Sequence, residues 1–325
     1  MRIAIPDDYQ DVIRSLECFK RLAGHEVRVF HDKPPAALDE LAARFADADA
    51  LVLTRERTRI DAALLDRLPN LKLISQTGKV AGHLDLEACT TRGIVVSEGR
   101  GSPVAPAELA WALLLNARRQ LVPAIEAFKQ GHWQVNLGQA VAGQLLGIWG
   151  YGKIGQRLAR YAQAFDMPVL VWGSESSRAA AEADGHRAAT SREAFFAEAD
   201  IVSLNLRLSE TTRHRVTFSD LSRMKADALL LNISRAELIE PGALLQALDA
   251  GRPGFAAVDV FEQEPILEPN HPLLTHPRVL STPHLGYVEK NGYELYFGDA
   301  FDNVVAFAQG AAKNVANPQA LTVRR

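Results

Sequence analysis

Short apolar runs rich in Val, Ile and Leu recur along the whole chain, separated by stretches whose apolar positions follow helical spacing. Residues 3–6, 26–30, 50–54, 71–76 and 94–97 read as strands, each short and bounded by turn or polar residues. Between several of them, 35–45 and 61–67 read as amphipathic helices. A second series begins near Ser102, where Pro103 and Pro106 punctuate the chain ahead of a long helical run, 107–119. Strands are expected at 145–149, 169–172, 201–206, 228–233, 256–260 and 279–282, with helices at 153–165 and 178–184 and a last one at 292–308. Strands that alternate with helices predict parallel sheets covered on both faces. The expected fold class is therefore α/β, with two doubly wound parallel-sheet domains. No internal repeat or low-complexity tract interrupts the pattern.

Where the second series begins, residues 145–155 read Leu-Leu-Gly-Ile-Trp-Gly-Tyr-Gly-Lys-Ile-Gly, a strand that runs into a G-x-G-x-x-G turn and then a helix. Such a turn gives a dinucleotide what it needs: Gly150 permits the sharp bend, Gly152 lets backbone approach a pyrophosphate, and Gly155 lets helix and strand pack closely. The start of the helix presents free N–H groups and partial positive charge to the phosphates. Strand, turn, helix and next strand occur in order, which makes the motif specific. The second strand, 168–172, ends in Gly173-Ser174 rather than the acid that usually bonds the adenosine ribose of NAD. Ser174, Ser176, Ser177 and Arg178 are suited to a 2′-phosphate, whereas Glu175 is not. The choice between NAD and NADP stays open.

Composition narrows the classes of partner. Among 325 residues, 47% are hydrophobic and 23% charged, with a net charge of −3, so a large core is available and no basic tract invites nucleic acid or an anionic membrane. The longest apolar run, near 109–115, is far below membrane-spanning length. Pro6, Asp7 and Asp8 cut the opening apolar stretch short of a signal peptide. Cys18 and Cys89 form no disulfide framework and no metal-ligand cluster. The expected setting is the cytoplasm.

Three expected strand ends carry acid–base chemistry: Asn232-Ile233-Ser234-Arg235, the segment from Asp259 through Glu264, and Thr282-Pro283-His284-Leu285-Gly286. Ligands of open α/β sheets bind outside the carboxyl ends of the strands. Reduction of a keto acid needs a cation for the carboxylate, a proton donor for the carbonyl oxygen and a hydride source. A planar guanidinium suits the first task. An imidazole suits the second, and a neighbouring carboxylate stabilises its charged form.

These segments, with residues 146–155, 199–208, Glu210-Thr211-Thr212-Arg213, Ala107-Glu108-Leu109 and Gly131-His132-Trp133, resemble the D-isomer-specific 2-hydroxyacid dehydrogenase family over nearly the whole chain. That family includes enzymes of glycerate, glyoxylate, hydroxypyruvate, lactate and phosphoglycerate. The resemblance implies that Arg235 binds the substrate carboxylate and carbonyl. It makes His284 the proton donor to the carbonyl oxygen, with Glu264 paired to it and raising its pKa, and sets Asp259 against the nicotinamide carboxamide. The loop Gly78-Lys79-Val80-Ala81-Gly82 resembles the family's substrate loop, so Lys79, Val80 and Ala81 join Arg235 and His284 as candidate substrate contacts. Candidate dinucleotide contacts are Gly150, Tyr151, Gly152, Lys153, Ile154 and Gly155 in the turn, and Gly173, Ser174 and Arg178 after the second strand. Leu206, Arg207, Thr211, Ile233, Asp259 and His284 complete the set. The resemblance also implies a dinucleotide-binding (Rossmann) domain, residues 102–287, inserted into a flavodoxin-like substrate domain formed by 1–101 and 288–325. It further implies substrate binding in the cleft between the two, a homodimer, and NAD or NADP as cofactor.

The sequence departs from the family pattern at Ala236, Asn205, Arg207, Glu98 and Tyr287, which bears on the substrate's identity more than on the reaction. Glu264 stands where formate-oxidising relatives carry an amide, which argues against that branch. His25, His31, His132, His186, His214, His271 and His276 read as structural, and no metal site is expected. His83 is a further candidate because it follows the substrate loop. Lys79 is equally suited to attracting an anionic substrate and to solvation. Relatives on this fold that act as nicotinamide-sensing corepressors keep the same trio, so a sensor is the alternative to an enzyme acting on small 2-keto acids.

Overall fold

The computed structural model describes residues 1–323. The chain divides into two compact units, one formed by Met1–Ser102 with the chain from Glu289 onward, the other by Pro103–Val288. Each is built on one parallel sheet.

The first unit holds β1 (Arg2–Ile5), β2 (Glu26–Val29), β3 (Ala50–Leu53), β4 (Leu73–Gln76) and β5 (Val95–Glu98) in the order β2-β1-β3-β4-β5. All pairings are parallel. Strands β3 and β4 are buried at every position, as expected of strands covered on both faces. One face packs Leu51, Leu53, Ile74 and Val96 with Phe45, Ile60 and Leu64. The other is covered by the Lys290–Ala308 helix, whose Tyr296, Phe297, Ala300 and Phe301 are buried. Ser75 Oγ donates to the Ala300 carbonyl at 2.8 Å, which satisfies a polar atom in that layer.

The second unit holds β6 (Leu146–Trp149), β7 (Val169–Trp172), β8 (Arg187–Ala188), β9 (Ile201–Leu204), β10 (Leu229–Asn232), β11 (Phe255–Val258) and β12 (Val279–Ser281). Their order is β12-β11-β10-β9-β6-β7-β8, again wholly parallel. Strand order reverses between β6 and β9, and ligands of such sheets bind at the carboxyl ends beside that switch. The Val104–Arg119 and Lys153–Ala164 helices cover one face through Leu113, Leu114, Leu158 and Ala162. Phe195, Phe196, Leu221 and Leu248 cover the other.

Element ends follow local chemistry. The first long helix starts at Val104, ahead of the expected 107, because Pro106 falls in its first turn, where no N–H is required. The expected helix at 35–45 forms only over Leu38–Phe45, since Pro34 and Pro35 hold the preceding chain extended. The expected 178–184 helix spans Glu175–Ala183, with Ser174 Oγ accepting from Ser177 N–H at its start. Elements the sequence pattern did not announce include the 3₁₀ turns Ile13–Ser15 and Glu17–Leu22, the helices Leu86–Thr91, Leu121–Lys129, Arg192–Glu198 and Ala243–Asp249, and the two-residue edge strand β8.

Candidate active site

The turn after β6 has the shape a dinucleotide requires. Gly150 has φ of 99°, and a Cβ there would lie 2.8 Å from the Asn205 carbonyl oxygen. A Cβ on Gly155 would lie 2.3 Å from the Gly150 carbonyl oxygen, so helix and turn could not close on a larger residue. Gly152 faces open space and precedes the Lys153–Ala164 helix. The Gln156 N–H donates to the Gly152 carbonyl at 2.9 Å, so the N–H groups of the first turn have no acceptor within the helix. That cradle fits a pyrophosphate, with backbone donors and helix polarity acting together. Lys153 is exposed and Ile154 half-buried at its rim. Tyr151 turns inward instead: it is buried, its hydroxyl donates to Asp184 at 2.8 Å, and burial with that carboxylate pushes the phenol above its ordinary range. Its backbone alone faces the turn.

At the end of β7, Gly173 has φ of 153°, and the Ser174 hydroxyl bonds those of Ser176 and Ser177 at 3.0 and 3.2 Å. The Arg178 guanidinium lies 4.8 Å above the Trp172 ring and donates to the Gly173 carbonyl at 3.3 Å. At the end of β9, Leu206 packs toward the turn, its Cδ2 standing 3.2 Å from where a Cβ on Gly150 would be. Arg207 and Thr211 are exposed beyond it.

The three segments singled out for chemistry follow β10, β11 and β12, adjacent strands of one sheet edge. Arg235 leaves β10 through a small network. Asn232 Nδ2 donates to the Arg235 carbonyl at 2.9 Å, Ser234 Oγ donates to the Leu204 carbonyl at 2.8 Å, and Arg235 Nη1 donates to the Ser234 carbonyl at 2.7 Å. Ile233 beside it is buried. Glu264 and His284 meet, with Oε2 2.6 Å from Nδ1. The other carboxylate oxygen, Oε1, accepts the Phe261 N–H at 2.9 Å. A carboxylate at that distance places the proton on Nδ1 and leaves Nε2 for exchange with a ligand. The His284 and Glu264 side chains are 20% and 18% exposed, so they are reachable yet shielded from bulk water.

Asp259, expected against the nicotinamide, is buried just beyond the end of β11. It has 0% exposure, and its carboxylate accepts Thr282 Oγ1 and Leu285 N–H at 2.7 Å each and Gly286 N–H at 2.8 Å. Burial raises its pKa, against the hydrogen bonds and the charge of His284. Sequence reasoning did not single out Thr282, because nothing in one sequence says which neighbour-strand acid its hydroxyl reaches.

In the first unit, Gly78 (φ of 92°) opens the loop expected to hold a carboxylate. The Lys79 ammonium is paired with Glu98, and the Val80 N–H donates to the same carboxylate at 3.2 Å. The Lys79 side chain is 66% exposed, so the pair lies in solvent. Ala81 is half-buried. His83 Nε2 lies 3.1 Å from Gln76 Oε1. Among the described residues no group of His, Cys, Asp and Glu is placed to hold a metal ion, and no helix is long and apolar enough to cross a membrane.

A family model described as "D-isomer specific 2-hydroxyacid dehydrogenase, NAD binding domain" matches residues 111–286. A glyoxylate reductase of Aeropyrum pernix is 35% identical over 312 residues, which cover 93% of this chain and 92% of the relative. Among solved structures, a putative D-3-phosphoglycerate dehydrogenase from Ralstonia solanacearum is 51% identical with a TM-score of 0.96, over 99% of this chain and 98% of that one. A phosphoglycerate oxidoreductase from Vibrio cholerae is 54% identical with a TM-score of 0.93, over 96% of this chain and 100% of that one.

Proposed function

The chain belongs to the D-isomer specific 2-hydroxyacid dehydrogenase family and is an NAD(P)-dependent oxidoreductase of 2-hydroxy acids and their 2-keto partners, and we propose that Arg235, Glu264 and His284 carry its chemistry. The observation behind this reading is the 2.6 Å contact between Glu264 and His284 Nδ1 at the sheet edge where Arg235 also emerges. A reduced dinucleotide held by the turn Gly150–Gly155 would supply the hydride for the carbonyl carbon. His284 gives a proton from Nε2 to the carbonyl oxygen and recovers one from solvent afterwards; oxidation runs the same path backwards. Glu264 offsets the imidazolium charge while it lasts and keeps the ring in one tautomer. Arg235 grips the substrate carboxylate and draws charge toward the carbonyl oxygen. The backbone at Lys79, Val80 and Ala81 is assigned to the same carboxylate. The Val80 N–H already accommodates a carboxylate, that of Glu98.

The dinucleotide is assigned to the turn Gly150–Gly155, with the adenosine ribose against Gly173, Ser174 and Arg178 and the adenine near Leu206, Arg207 and Thr211. Ile233 lines the path toward His284. The dinucleotide-binding domain is placed at residues 102–287, the substrate domain at 1–101 and 288–325. A nicotinamide-sensing binding protein on this fold finds no support among the named relatives, all of which carry enzyme names.

The Leu121–Lys129 helix has no buried residue. Val122, Ile125 and Phe128, with Trp133, Val135 and Leu137 after it, are 42%, 50%, 62%, 72%, 53% and 91% exposed. So large a run of apolar surface calls for cover, and a second copy of this chain in a homodimer is the assembly we assign to it. Cys18 and Cys89 are buried free thiols, each pushed up to about 12 by burial. Inert thiols of this kind suit the reducing cytoplasm in which the enzyme is placed.

The test is a screen of small 2-keto acids, glyoxylate and hydroxypyruvate among them, with NADH and NADPH in parallel. Oxidation of either cofactor dependent on a keto acid is expected. Tight cofactor binding with no turnover on any keto acid would favour a sensor instead.

A further inference from the structure

Glu98 closes β5 with its backbone pinned on both sides. Its N–H donates to the Asn314 carbonyl at 2.9 Å, and its own carbonyl accepts Asn303 Nδ2 at 3.3 Å. The side chain is what remains free to move. Its carboxylate turns back to the loop 78–82, with one oxygen on the Lys79 ammonium and the other on the Val80 N–H at 3.2 Å. That loop does not need the carboxylate for its shape. The Gly99 N–H donates to the Gly78 carbonyl at 2.8 Å and fastens the root of the loop, and Val80 packs against the core of the first unit. A charged acceptor usually draws an N–H to about 2.7–2.9 Å, so Glu98 sits loosely on its donor.

We propose that Glu98 is an internal competitor for the substrate carboxylate: it occupies the Val80 N–H until a keto acid displaces it, and Lys79 receives the displaced side chain. The inference rests on the reading of residues 79–81 as the loop that binds that carboxylate. Two carboxylates cannot share one N–H donor without strong repulsion, so binding must first free the donor. There is room for the released side chain. Glu98 lines an open cavity of about 680 Å³ together with Lys79, Arg100, Asp299 and Lys313. Arg100 is already taken by Asp299 at 2.8 and 2.9 Å, and Lys313 stands 3.9 Å from Asp302. Lys79 is therefore the cation placed to keep Glu98 there. An ion pair open to solvent is weak, so Lys79 steers Glu98 without locking it. The two side chains act in opposite directions on affinity: Glu98 lowers it, and Lys79 offsets Glu98.

The experiment measures the Ki of oxamate, a carboxylate beside an amide carbonyl that takes no hydride, on the full chain saturated with dinucleotide. The variants are Glu98→Gln, Lys79→Met, the two combined, and Val80→Pro, which deletes the N–H itself. Glu98→Gln should lower the Ki about tenfold, the scale of one hydrogen bond to a charged group. Lys79→Met leaves the Glu98 charge unopposed and should raise the Ki about fivefold. In the Glu98→Gln background, Lys79→Met should change it by less than about threefold, because a residue that acts through another matters little once that other is gone. The dinucleotide Kd, read by fluorescence, should stay within about twofold throughout, since the turn that holds it is untouched. A residue that merely braced the loop would give the opposite sign, so an oxamate Ki unchanged or raised in Glu98→Gln would overturn the inference, provided that Val80→Pro raises it. If Val80→Pro left the Ki unchanged, the reading of the loop would fail instead, and the inference with it. Should Glu98→Gln fail to fold, Glu98→Asp, a methylene too short to reach the Val80 N–H, should lower the Ki about threefold; a raised Ki in Glu98→Asp would likewise count against the inference.

Discussion

Gly152 and Gly155 sit three positions apart in one turn and answer to different constraints. A Cβ at 155 would press on a backbone carbonyl oxygen at 2.3 Å, whereas one at 152 would meet nothing. Gly155→Ala should therefore lower stability by about 1–3 kcal/mol through overpacking, read as a lower denaturant midpoint. Gly152→Ala should leave that midpoint in place and weaken dinucleotide binding, read by fluorescence titration. If the two variants behaved alike in both assays, the division of labour within the turn would be wrong. Residue identities and spacing were enough to find this turn and the three strand-end segments, while the choice of Arg235, Glu264 and His284 within them came from the resemblance to the family. The sequence could not reveal the left-handed backbone of His284 or the three donors that converge on Asp259. Those depend on which strand ends become neighbours, and the strands concerned are far apart in the chain.

At the scale of elements, legibility followed burial. Strands such as β3, β4, β6 and β10 are buried at every position, and their short, mainly apolar runs were readable without further information. The edge strand β8 has only Arg187 and Ala188, too short to show alternation, whereas the Leu121–Lys129 helix buries nothing although Leu121, Val122, Ile125 and Phe128 recur at helical spacing. A second feature hidden from the pattern is Arg118, which closes the Val104–Arg119 helix against the sheet at 4% exposure. Its Nη1 donates to the Asp227 carbonyl and its Nη2 to the Asp200 carbonyl, both at 2.6 Å, just ahead of β10 and β9. Removing it would strand two acceptors in a dry region. Arg118→Leu should cost about 2–4 kcal/mol of unfolding free energy by urea titration, and a loss below about 0.5 kcal/mol, the size of a neutral surface change, would show that the contacts are incidental.

For the whole molecule, the exposed apolar run from Leu121 to Leu137 is the surface assigned above to a homodimer contact. Seven large apolar side chains there are at least 42% exposed, Leu137 at 91% and Trp133 at 72%, whereas elsewhere among the described residues such exposure is scattered. Sedimentation should show a dimer, and Phe128→Asp with Trp133→Ser should shift it to monomer while each unit stays folded. A monomeric wild type at micromolar concentration would contradict the assignment.

All of these scales converge on the acid–base pair, so the most direct measurement is kcat for keto acid reduction by His284→Ala, with the dinucleotide Kd determined on the same preparation. Loss of a general acid should lower kcat by about 10²- to 10⁴-fold and leave the Kd within about twofold, since the imidazole is assigned to proton transfer and the turn at Gly150–Gly155 to binding. Turnover within about threefold of wild type, well short of what a general acid contributes, would contradict the account.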